Sequence, residues 1–317
     1  MTLPPPEKLP SDRYGLIRRE ATLRMGIADD TVADAVRRGQ LLRLAPGVWV
    51  PASTDLDGPD LSDLLYRRRS IAVATSARDR GTSTLSHESA AAVHGLDTLH
   101  PERETVHLTK RSGTGGFVRG HRHVHNGPLP PEEIVIVDGV EVTSLERTAV
   151  DIAMGGDFAR ALVAFDRALA TGADAAVMEA MLEDRAGWKN VGVARRAFTC
   201  SDVLSESVGE SWSRAQMIAA GLPTPRLQHR FQTSSGEARA DFDWEGLLVG
   251  EFDGLQKYDR LLRPGESARD ALVREKKRED ALRALGIMVV RWTWSDLERG
   301  ELVEMLRPRL VAIGLVD

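Results

Sequence analysis

Cysteine occurs once in the 317-residue chain, at Cys200, which excludes internal disulfides and any zinc site built on several thiolates. Long apolar runs are missing too. No stretch approaches the roughly 20 residues that a membrane span needs, so no membrane partner is expected. The opening MTLPPPEKLPSDRYG has no apolar h-region, so a secretory signal is not expected and the reading is a cytoplasmic protein. Lysine is scarce, found only at Lys8, Lys110, Lys189, Lys257, Lys276 and Lys277. A net charge of −5 excludes a uniformly basic nucleic-acid coat but leaves local basic patches open. Internal repeats and low-complexity tracts are also lacking. What remains, 42% hydrophobic and 28% charged residues, is ordinary for a soluble globular chain long enough for two or three domains.

The segment IRREATLRMGIADDTVADAVRRGQLLRLAPGVWV, residues 17–50, has a compact plan. A short helix ends at Gly26, and Asp29 is placed to cap a second helix that ends at Gly39. LLRL, the turn APG and VWV then form a hairpin. Helix, turn, helix and hairpin make a winged helix-turn-helix over residues 1–53, with a small α/β appendage lacking DNA contact as the alternative. Arg37, Arg38 and Arg43 favour phosphate contact with double-stranded DNA. Asp29, Asp30 and Asp34 on the same helix oppose a close approach to the major groove.

PASTDLDGPDLSD reads as a linker, and residues 62–198 as a middle α/β domain. Within it LSHESAAAVHGL is a helix capped by Ser86, ETVHLTK and RGHRHVHN are strands, and IVIVDGVEVTS is a hairpin turning at Asp138-Gly139. Helices follow over 145–154, 158–171, 174–185 and near 190–198. His121, His123 and His125 alternate and would share one strand face. With no acidic or cysteine partner nearby in sequence, a solvated or phosphate-facing strand suits them better than a metal site. Ser86, His87 and Glu88 lack a nucleophile elbow and do not make a hydrolase site.

The third region, residues 199–317, holds an unusual concentration of acid. In RADFDWEGLLVGEFDGLQKY the apolar residues read as a buried hairpin, yet Asp241, Asp243, Glu251 and Asp253 lie inside it. A three-residue turn at Trp244-Glu245-Gly246, with glycine at the left-handed position, brings Asp241, Glu251 and Asp253 to one face. A cation among them, Mg²⁺ or Mn²⁺, would compensate the charge and activate a water, with Lys257 beside the scissile phosphate. The alternative is an exposed acidic edge that resists aggregation. Downstream, REKKRED puts seven charges in a row on a helix without an apolar stripe, so Arg274, Lys276, Lys277 and Arg278 are candidate phosphate ligands. Ser207 and Glu210 have capping-box spacing, IMVVRW is a buried strand, and Ser295 with Glu298 caps a final helix.

Taken in order, GESWSRAQMIAAGLPTP, ARADFDW, VGEFDGLQKY and REKKREDALRALGIMVVRWTW resemble the PD-(D/E)XK nuclease superfamily, in its branch similar to very-short-patch-repair endonucleases. That resemblance implies a restriction-endonuclease-like α/β domain in which Glu210, Asp241 and Glu251 bind the metal. The usual lysine position holds Asp253, so the resemblance leaves Lys257 as its substitute or Asp253 as a further ligand. The first 170 residues or so resemble AbiEi-like antitoxins of type IV toxin–antitoxin systems, through MGIADDTVADAVRRGQLLRLAPGVWVP, LSHESAAAVHGL and VDGVEVTSLERTAVDIA. This second resemblance implies promoter binding and a toxin partner. Two functions therefore stand: a metal-dependent DNA endonuclease with a DNA-binding winged-helix module, in phage defence or repair, or a DNA-binding regulator or antitoxin with an inert nuclease fold.

Overall fold

A computed structural model describes residues 8–52, 58–111, 115–234, 236–254 and 267–316. The chain is a mixed α/β protein, with three sheets among the described residues, and divides into two compact units, residues 1–152 and 153–317.

The first unit begins with β1 (Ile17–Arg18), α1 (Arg19–Arg24), α2 (Asp29–Arg37), β2 (Leu41–Ala45) and β3 (Val48–Pro51), whose strands pair antiparallel in the order β1-β3-β2. Gly26 leaves α1 with a left-handed φ of +71°, a conformation that costs glycine nothing. The expected cap at Asp29 is not made. Ala28 is the N-cap residue, and the Asp29 carboxylate, in the first turn of α2, pairs with Arg19 at 2.6 Å. Ile17, Ile27, Val32, Ala35 and Leu41 close the small core between these helices and the sheet.

Next come α3 (Gly58–Ala74), β4 (Ser83–Leu85), α4 (His87–His94), β5 (Val106–Lys110), β6 (Phe117–Arg119), β7 (Arg122–Asn126), β8 (Ile134–Val137) and β9 (Val140–Thr143). The six strands form one sheet in the order β6-β7-β5-β4-β9-β8, with β5–β7 and β4–β9 parallel. Alternation of Val106, Leu108, Val124, Val140 and Val142 supplies its buried face, against Ile71 from α3 and Val93 from α4. Asp138 and Gly139 both take left-handed φ, +50° and +75°, as a two-residue primed turn requires. Ser86 precedes α4 but makes no side-chain cap; its hydroxyl lies 3.0 Å from Nδ1 of His87. His123 and His125 do share β7, whereas His121 lies in the turn before it, 3.2 Å from the Glu104 carbonyl oxygen.

Helix α5 (Leu145–Gly155) carries the chain into the second unit, where α6 (Phe158–Thr171), α7 (Ala175–Asp184), α8 (Val191–Thr199) and α9 (Val208–Ala219) follow. β10 (Arg226–Thr233), β11 (Gly236–Trp244), β12 (Leu248–Asp253), α10 (Ala268–Ala284), β13 (Met288–Thr293), α11 (Trp294–Arg299) and α12 (Leu302–Ala312) complete it. The sheet runs β10-β11-β12-β13; its hairpins are antiparallel, and β13 lies parallel to β12 because α10 occupies the connection between them. Trp244, Trp292, Phe242 and Phe252 fill the core with Met217, Leu297 and Leu306. On the other side of α9, the buried Asp166 carboxylate of α6 accepts a hydrogen bond from Arg214 at 2.5 Å and another from the Asp202 amide at 2.8 Å. The cap expected at Ser295 is found two residues earlier. Thr293 and Asp296 form the capping box, because α11 starts as soon as β13 ends. Among the described residues, no helix is long and apolar enough to cross a membrane.

Candidate functional site

The β11–β12 hairpin decides where its carboxylates point. Phe242 pairs with Gly250, Asp243 with Val249 and Trp244 with Leu248, so the three-residue turn is Glu245-Gly246-Leu247, one position later than the sequence suggested. Glu245 and Gly246 both take left-handed φ, and the Leu247 amide donates to the Trp244 carbonyl at 3.0 Å. Parity survives the shift. The pairs end at Phe242–Gly250; continued by one, the same register would set Asp241 opposite Glu251, and the Asp241 charge does act on the Glu251 carboxyl.

Asp243 is fully buried and serves the turn: it accepts from the Gly246 amide at 2.8 Å and pairs with Arg226 and with His229 at 2.9 Å. Asp241 accepts from the Phe252 amide at 2.9 Å. Glu251 is 6% exposed, and the Arg278 guanidinium meets it with two parallel hydrogen bonds of 3.1 and 2.7 Å. Burial pushes the Glu251 carboxyl up to about 7; Arg278 pulls it down and the neighbouring Asp241 charge adds to the rise. Asp253 lies 3.3 Å from Arg291, which also reaches Glu279 at 3.2 Å. Asp243, Glu251 and Asp253 are therefore met by arginines from β10, α10 and β13, and Asp241 by a backbone amide.

Of the predicted metal ligands, Asp241 and Glu251 come together and Glu210 does not join them. Its carboxylate accepts from Ser207 at 2.7 Å, from the Glu206 amide at 2.9 Å and from Gln228 at 2.9 Å, so it caps α9 and ties β10 to the helix. A divalent cation does not fit these side chains as they stand. The Glu251 oxygens are taken by a guanidinium, an Asp241 oxygen accepts from a backbone amide, and Glu210 is saturated by its cap. Lys257 lies outside the described residues, as does the Arg274 side chain. Lys276 and Lys277 are exposed on α10, free of the sheet, while Arg278 and Glu279 turn toward it.

Two participants escaped sequence reading. Arg278, a candidate phosphate ligand, instead pairs with Glu251, and Arg291, inside the strand IMVVRW, has no role assigned from sequence. Arg291 sits beside Glu251 in the parallel register. A cation inside an otherwise apolar strand, adjacent to a strand with buried acids, was the available signal.

In the first unit, Arg37, Arg38 and Arg43 are all exposed. Arg37 pairs with Asp34, and Arg38 lies 3.8 Å from the same carboxylate. Two of the three acids on this part of the chain, Asp29 and Asp34, are thus already neutralised by arginine.

Comparison with known proteins places residues 82–198 in a match to the family described as the AbiEi antitoxin C-terminal domain. Two uncharacterized proteins of Mycobacterium tuberculosis, from different strains, are each 29% identical over 270 residues, covering 83% of this chain and 89% of theirs. A crystal structure of another Mycobacterium tuberculosis protein covers 72% of this chain and 87% of its own, at 16% identity and a TM-score of 0.36.

Proposed function

We propose that the protein is a DNA-binding regulator of antitoxin type, acting in the cytoplasm on double-stranded DNA and on a toxin protein. The observation that carries this reading is the antitoxin-domain match across residues 82–198. Two further features support it. Residues 17–51 order two short helices before a β-hairpin, as a winged helix-turn-helix does, and leave Arg37, Arg38 and Arg43 exposed to phosphates. The C-terminal unit runs helix, hairpin, helix and strand, as the endonuclease-like expectation requires, but Arg278 stands on Glu251 where a metal would be needed. In this reading the nuclease-like fold is a contact surface.

A metal-dependent endonuclease is the second reading, favoured by one observation: Asp241 and Glu251, on adjacent strands, lie close enough for the charge of one to act on the other. For that chemistry Arg278 would have to leave Glu251.

One set of measurements separates the two. Full-length protein is titrated against labelled duplex from upstream of its own coding sequence, across a range of salt, alongside the triple variant R37A/R38A/R43A. Losing three phosphate contacts should weaken binding and flatten the slope of log affinity on log salt by roughly 2 to 3. An unchanged affinity and slope would remove the winged-helix assignment. Supercoiled plasmid with Mn²⁺ supplies the other arm. Cleavage by the native chain that disappears in Glu251→Gln would establish the endonuclease and displace the regulator.

A further inference from the structure

Four imidazoles meet in the first unit, and the proposed function uses none of them. His87 is the first residue of α4, His107 lies in β5, and His123 and His125 lie in β7. β5 and β7 are parallel neighbours with His107 beside His123, so alternation puts His107, His123 and His125 on one face. His125 stacks on His87 at 3.8 Å and on His123 at 3.9 Å between ring centroids. Nδ1 of His107 lies 2.9 Å from Nε2 of His125. One ring nitrogen from each of His87, His107 and His125 falls within 4.8 Å of the other two.

The surroundings suit ligation. Glu88 and Glu102 approach Nε2 of His107 at 3.8 and 3.9 Å, on the opposite side of the ring from His125. Asp151 lies 3.8 Å from Nδ1 of His87. At these distances the carboxylates make no hydrogen bond, but their charge favours a proton on the nearer ring nitrogen and so leaves the other nitrogen's lone pair for a cation. His87 also holds a left-handed φ of +50°, a conformation costing a non-glycine residue about 1–3 kcal/mol, and it aims this ring at the other three. The His87 and His107 side chains remain 16% and 12% exposed, which leaves an entry route from solvent.

We propose that His87, His107 and His125 bind a divalent transition-metal ion, with zinc the best match to three imidazoles. A tetrahedral zinc with bonds of about 2.0–2.1 Å needs ligand nitrogens roughly 3.3 Å apart. The ligand nitrogens lie within 4.8 Å of one another, with Nδ1 of His107 and Nε2 of His125 2.9 Å apart, and the stacked His87 and His125 rings would turn out of parallel to direct both lone pairs at one ion. Imidazole donors without thiolate select a borderline ion over Mg²⁺ or Ca²⁺. The fourth position is left to water or to a nearby carboxylate. The ion would join the start of α4 to β5 and β7, and the site stands independently of the proposed function.

The test uses the full chain, stripped with chelator and titrated with Co²⁺ as a spectroscopic probe. The expected result is a visible d–d band of low-symmetry cobalt that saturates at one equivalent, is abolished by one equivalent of Zn²⁺, and comes with a rise in Tm on Zn²⁺ addition. H107Q/H125Q should lose both the band and the Tm rise, while His121→Gln, outside the cluster, keeps them. Should the double variant fail to fold by circular dichroism, His87→Gln alone should weaken Co²⁺ binding by roughly tenfold or more. Absence of a band in the native chain overturns the proposal. So does a band that persists undiminished in folded H107Q/H125Q or in His87→Gln.

Discussion

Replacing Glu251 by Gln removes one charge from the hairpin while preserving size and an oxygen for Arg278. Burial raises the Glu251 carboxyl from 4.5 to about 7, which corresponds to about 3 kcal/mol of preference for its protonated form in the folded protein. The native state therefore holds this proton more tightly than the unfolded chain. The stability that the group contributes is fully present below pH 4.5 and is lost as pH rises through about 7. The native C-terminal unit should lose up to about 3 kcal/mol from this residue between about pH 5 and pH 8, and Glu251→Gln should lose none of it. Arg278, whose side chain is 24% exposed, keeps partial hydration when its partner is neutral. The variant should therefore equal or exceed the native chain by about 1–3 kcal/mol near pH 8 and lie within about 1 kcal/mol of it near pH 5. Urea unfolding followed by tryptophan fluorescence is the suitable assay, because Trp188, Trp212, Trp244, Trp292 and Trp294 all belong to this unit and only Trp49 does not. A variant that loses stability with pH as steeply as the native chain would refute the argument. So would one markedly less stable near pH 8, which would mean that the ion pair, and not desolvation, dominates.

Asp166→Ala strands the Arg214 guanidinium between α6 and α9 and should cost about 3–5 kcal/mol in urea unfolding, whereas the double replacement D166L/R214M should recover most of it. Gly250→Ala would set a methyl group 2.5 Å from the Trp292 ring and 3.3 Å from that of Trp244, an overpacking that should cost about 1–3 kcal/mol. Gly192→Ala in α8, where a Cβ meets nothing within 4 Å, should instead stabilise by about 0.5–1 kcal/mol, measured the same way.

Local signals in the sequence reach far in this protein. Period and punctuation place α5 to α8 within a residue or two of where they lie, since Gly172 and the N-cap aspartates Asp157 and Asp174 mark helix ends through backbone geometry alone. The Asp138-Gly139 turn and the left-handed Gly246 of the β11–β12 turn belong to the same class, because left-handed φ is a property of a few consecutive residues. Which group answers each charge is a different matter. Glu251 meets Arg278 across 27 residues, Asp166 meets Arg214 across 48, and His87 meets His125 through strands whose adjacency no local pattern encodes. Side-chain partners of buried charges are chosen by whichever elements pack together, and desolvation makes that choice energetically decisive. The sequence by itself determined that acids would be buried in the β11–β12 hairpin. Only the tertiary structure decided that arginine would be the counterion of Asp243, Glu251 and Asp253, and that His87, His107 and His125 would converge.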